Sequence, residues 1–175
     1  MPPLAYAKIR KEIKRTMKKH INNYILAAFA AILVFVCIRS IYAPVHFDGE
    51  REAREREVKL RLTAIRRAQE ANRRLTGTYS GSFEELTTRG LLANSQKFIP
   101  YSGGMVFHLR TATLTMASGR EVPVMECSTT FDEYLKGLDE ASIAELTEEA
   151  GNAGMFPGLK IGDIEKNNDN AGNWE

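Results

Sequence analysis

The feature that most restricts this chain is an uncharged apolar run from Tyr24 to Ile38, YILAAFAAILVFVCI. As a helix these 15 residues measure about 22 Å, at about 1.5 Å per residue. Arg39 interrupts the run and residues 40–45 extend it. Arg39 can snorkel, and Tyr24 and Tyr42 suit the two aromatic belts of a bilayer. Counted to Val45, the segment predicts a transmembrane helix over 24–45 across a hydrocarbon core of roughly 30 Å, ended or kinked at Pro44. A cleavable signal peptide fits poorly: mostly polar residues fill the first 23 positions, and no Ala-x-Ala-like site follows Ile38. A buried core helix that is apolar on every face would be unusual in a chain of 175 residues.

Charge is unevenly divided around that run. The formal +2 of the whole chain averages a basic start and an acidic remainder. Residues 1–23 hold seven basic side chains against Glu12, a net +6, while residues 44–175 hold 16 basic against 21 acidic ones, a net −5. Counting Lys and Arg near the ends of the span places the amino terminus in the cytoplasm. The expected location is a bacterial inner membrane, with single-pass topology and a periplasmic carboxy-terminal domain. Leu4, Ile9, Ile13, Met17 and Ile21 fall at mostly four-residue spacing and predict a basic amphipathic helix over 1–23. Its apolar stripe fits either an anionic lipid surface or a protein partner, for which Ile9, Ile13, Met17 and Ile21 are the candidate contacts.

Beyond the span, residues 46–62 are dense in charge. Glu50–Arg54, Glu52–Arg56, Glu55–Lys59 and Glu57–Arg61 all stand at i,i+4 in the favourable order. A charged helical stalk is expected there. From Val58 the pattern turns amphipathic through Leu62, Ile65 and Ala68, so the helix should pack on a domain spanning 63–166 and stop at Gly77. Ser82-x-x-Glu85 predicts the cap of a short helix. Residues 105–115 alternate and are rich in β-formers, residues 117–120 supply a turn, and residues 122–127 return, which predicts an antiparallel hairpin. Pro123 should lie at an edge or a strand start. Residues 139–150 read as a short helix, and Met155–Ile164 carries enough apolar residues to lie over the domain. Residues 167–175 read as an Asn-rich polar tail. Trp174 is either incidental there or an anchor for a partner. The fold class expected is α+β, with a long amino-terminal helix containing the span.

No catalytic or metal constellation is legible. His20, His46 and His108 are scattered, and His-x-x-x-His, Cys-x-x-Cys, Gly-x-Ser-x-Gly and phosphate-loop patterns do not occur. Cys37 and Cys127 are too remote in sequence pattern to suggest a bridge. The pairs Glu84/Glu85 and Asp132/Glu133 are sequence neighbours, which is no sign of two distinct carboxylate environments. The basic cluster is short and nearly free of aromatics, so nucleic acid is not an expected partner. Catalytic residues, a metal, a cofactor and a small-molecule substrate are therefore not expected. The expected partners are integral inner-membrane proteins and membrane lipid.

The stretch Ile65-Arg66-Arg67-Ala68-Gln69-Glu70-Ala71-Asn72, with Thr76-Gly77-Thr78-Tyr79 and Phe83-Glu84-Glu85-Leu86 after it, resembles the segment following the long helix of type IV pilins and pseudopilins. The resemblance covers about 25 residues. It implies an antiparallel sheet packed on the helix, on an uncleaved anchor. A pilin processing site and the acidic residue after it do not occur before Tyr24-Ile25-Leu26, and Ser80 stands where a Pro usually follows the turn. The functional expectation is a non-enzymatic accessory subunit of a cell-envelope complex, such as an energy-transducing motor of the TonB–ExbB–ExbD kind or a secretion machine. The alternatives are a pseudopilin-like minor subunit and a membrane-anchored ligand-sensing module with a pocket between hairpin and helix.

Overall fold

Helix formers, with four-residue spacing of Glu before Arg or Lys, carry the first element through Gly49 without a break. In the computed structural model, which describes the backbone of residues 3–175 and the side chains of residues 24–37 and 46–175, helix α1 spans Pro3–Thr76. The backbone stays helical through Pro44, where the sequence predicts a stop or kink. The chain forms two units, Met1–His46 and Phe47–Glu175.

In the first unit, the apolar side chains from Tyr24 to Val36 are exposed. Among the described residues no helix is long and apolar enough to cross a membrane. This overturns the transmembrane helix expected at 24–45, and with it the single-pass topology and the inner-membrane and periplasmic placement. The extension across Arg39 to Val45, on which that expectation depended, lies outside the described side chains, as does the stripe of Leu4, Ile9, Ile13, Met17 and Ile21.

The second unit is α+β. Val58, Leu62, Ile65 and Ala68 of α1 are buried at helical spacing and meet a three-stranded antiparallel sheet of order β1-β2-β3. The strands are β1 (His108–Thr115), β2 (Glu121–Thr130) and β3 (Gly158–Gly162). Strand alternation sends Met125, Cys127, Leu159 and Ile161 into the shared core, where Phe107, just before β1, joins them. Burial pushes the Cys127 thiol far up, and both cysteines are free. Packing begins at Phe47 and includes half-buried Arg51 and Glu55, so residues 46–62 are bound to the domain along one face rather than standing clear of it as a stalk.

Three shorter helices complete the unit: α2 (Phe83–Thr88), α3 (Phe131–Tyr134) and α4 (Glu140–Asn152), with a 3-10 turn at Asn94–Lys97. Ser82 caps α2 by accepting from the Glu85 N–H, and Asp139 caps α4 by accepting from the Ser142 N–H. The β1–β2 hairpin pairs Leu114 with Val122 and Ala112 with Val124. β3 pairs with β2 only from Glu126 onward. Pro123 thus sits where β2 has a partner on one side alone, and there a missing N–H is tolerated. The stretch 167–175 lies on the domain: Ile161 bridges to Gly172, and Asn173 exchanges hydrogen bonds with Lys160 and donates to the Gly158 carbonyl.

Candidate functional site

The end of α1 is built to hold one aromatic ring. Gly77, at φ 85°, turns the chain out of the helix and donates its N–H to the Arg73 carbonyl. Three residues later the chain is clamped: buried Gln69 donates to the Ser80 carbonyl at 2.7 Å and accepts from the Ser80 N–H at 2.8 Å. A carboxamide supplies both donor and acceptor, so a single side chain replaces a strand partner here. Between these two fixed points Tyr79 is turned inward and nearly buried.

The Tyr79 hydroxyl accepts from Arg73 Nη1 at 2.9 Å and from Asn170 Nδ2 at 2.7 Å. The Arg73 guanidinium also lies 5.2 Å from the Tyr79 ring centroid, a cation–π distance. Asp169 and Asn170, with φ of 54° and 59°, are consecutive non-glycine residues in the left-handed region. Their turn is held from behind: Arg66 donates to the Asn170 carbonyl at 3.2 Å and pairs with Glu175 at 2.9 Å. The Gly172 N–H and then Arg66 hold the Glu175 carboxyl below its ordinary range.

Around this ring lie two cavities. The larger, about 470 Å³, is lined by Glu70, Arg73, Arg74, Tyr79, Asp169 and Asn170. The smaller, about 230 Å³, has Thr78 and Tyr79 on one side and hairpin residues Thr111, Thr113, Pro123 and Val124 on the other. Tyr79 is a wall of both.

The expected residues fall elsewhere. Trp174 is partly buried against the domain's own core, with the Lys59 ammonium 5.9 Å from its ring. Gly172 lies beneath that ring, where a Cβ would come within 2.7 Å of it. Ile9, Ile13, Met17 and Ile21 belong to side chains outside the described residues. His108, at the start of β1, bonds Glu133, which also accepts from the Thr129 hydroxyl and the Thr130 N–H. Partial burial acts to raise the Glu133 carboxyl, but the Thr130 N–H, His108 and Thr129 together hold it below its ordinary range. Among the described residues no group of three or more His, Cys, Asp or Glu side chains could hold a metal ion.

Residues 70–79 and 169–170 were not legible as one site. The Gly-Thr-Tyr turn is visible in the sequence, but its partner lies in the Asn-rich end, where composition suggests only a polar tail.

Compared with protein-family models, with curated proteins and with solved structures, the chain matches none.

Proposed function

We propose that this protein is a non-enzymatic subunit of a larger assembly and acts through protein–protein contacts. The observation that carries the reading is the exposed apolar surface of α1. Nine large apolar side chains between Tyr24 and Val36, among them Phe29, Leu33 and Phe35, are each more than half exposed. At about 100° per residue they cover every face of the helix. Soluble monomers rarely leave a contiguous apolar area of this kind in water, and a helix apolar all round is a buried one. Apolar helices of another subunit are the covering that matches its shape and chemistry. The domain Phe47–Glu175, with its own core, then presents its surface from that anchored segment.

A photo-crosslinking residue at Phe29 or Leu33 tests the reading in the native host. The expected result is one discrete protein adduct, lost when Phe29 and Leu33 are both changed to Lys. Its loss should leave the thermal unfolding of the carboxy-terminal domain in place. Recovery of the unmodified chain as a dispersed monomer without adducts would sink the proposal.

A further inference from the structure

The larger Tyr79 cavity holds charges of both signs that do not neutralise one another. Elsewhere on α1, three acid–base pairs four residues apart close into ion pairs, Glu57–Arg61 at 2.8 Å, Glu55–Lys59 at 3.2 Å and Glu52–Arg56 at 4.0 Å, while Arg54 leaves Glu50 to donate to the Tyr134 and Lys136 carbonyls. Glu70 and Arg74 have the same spacing and order, yet no ion pair joins them, and both line the cavity. Arg74, Glu70 and Asp169 form no ion pair to any described residue. Among the described residues Arg73 uses only Nη1, on the Tyr79 hydroxyl, so its remaining N–H groups are unspent there. That bond and the ring beneath it hold the guanidinium in one orientation. The opposite wall is formed by the left-handed pair Asp169–Asn170. A volume of about 470 Å³ lies within the range of small-ligand pockets.

From these observations we infer that the cavity binds a free amino acid in its zwitterionic form. Arg73 and Arg74 receive the α-carboxylate, and Glu70 and Asp169 receive the α-ammonium. Guanidinium groups match a carboxylate in a two-point geometry, and carboxylates are the natural acceptors of an ammonium. A simple anion would engage only the two guanidinium groups and a simple cation only the two carboxylates, whereas a zwitterion engages all four. This inference is independent of the assembly reading, since it concerns the other unit of the chain.

The test is thermal stabilisation and calorimetry of the full chain with each of the twenty amino acids. For any that bind, the N-acetyl derivative, the amide and sodium acetate follow. The expected result is saturable stabilisation by at least one zwitterion, with affinity at least about tenfold weaker for either blocked derivative. Arg74→Gln and Asp169→Asn should each weaken binding by about tenfold or more while leaving the ligand-free Tm in place, because both side chains are exposed and Asn tolerates the left-handed region. The inference is overturned if no amino acid stabilises the chain, if acetate or a blocked derivative binds as well as the zwitterion, or if both variants keep full affinity.

Discussion

The Tyr79 hydroxyl and the Asn170 carboxamide, 91 positions apart, meet at 2.7 Å inside the carboxy-terminal unit. Their bond fastens the end of the long helix to the end of the chain. Tyr79→Phe removes the acceptor of both Asn170 and Arg73, and should cost about 1–3 kcal/mol because the Asn170 donor is left buried. Asn170→Ala loses the same bond and adds the strain of a left-handed alanine, about 1–2 kcal/mol. Denaturant melts of both single variants and the double one should give less than additive loss, with coupling of about 0.5–3 kcal/mol. Strict additivity would show that the bond contributes nothing.

Tyr134 poses the opposite case. Its side chain is fully buried against the core, and its hydroxyl has no hydrogen-bond partner among the described residues. Burial, and then the nearby Glu55 carboxylate, push its phenol far up. Tyr134→Phe keeps the ring and removes the unsatisfied oxygen. Stability should be unchanged or higher by about 1 kcal/mol. A loss beyond about 1 kcal/mol would mean that the hydroxyl is bonded after all, with Glu55 the first suspect.

Gly162 closes β3 at φ 70°, and a Cβ there would stand 2.1 Å from the Met125 carbonyl oxygen. That oxygen is backbone of the central strand and cannot rotate away. Gly162→Ala should destabilise by at least about 2 kcal/mol, and a shift in Tm reads it directly. A Tm within a degree of the parent would contradict the tight approach.

Glu133 sets part of the acid limit. Its carboxyl lies below its ordinary range in the folded protein, so the unfolded chain binds its proton more readily. The stability it contributes is present above the unfolded value of about 4.3 and is lost as pH falls through the lower folded one. Between neutral pH and pH 3 the parent should lose more Tm than Glu133→Gln, and parallel curves would remove Glu133 from the account.

Local rules were enough for the elements that local chemistry decides. Spacing of four and then three residues through Val58, Leu62 and Ile65 announced the packed face of α1. Gly77, Ser82 and Asp139 marked ends and starts, and alternation marked the hairpin. β3 was not legible, because Gly158-Leu159-Lys160-Ile161-Gly162 is short and bounded by glycines, and only the open half of β2 makes it a strand. The charged stretch 46–62 misled for a related reason: half-buried arginines and glutamates become packing surface only once a domain is placed against them.

From sequence alone came the apolar character of 24–37, the charge division about it, the helical register of α1 and the absence of familiar catalytic spacings. Those properties belong to runs of neighbouring residues. Tertiary structure alone decided that Trp174 turns back onto its own domain and that Tyr79 joins Arg73 to Asn170. Such contacts link side chains dozens of positions apart, and their distances are set by how the sheet and helix pack, which no local pattern encodes.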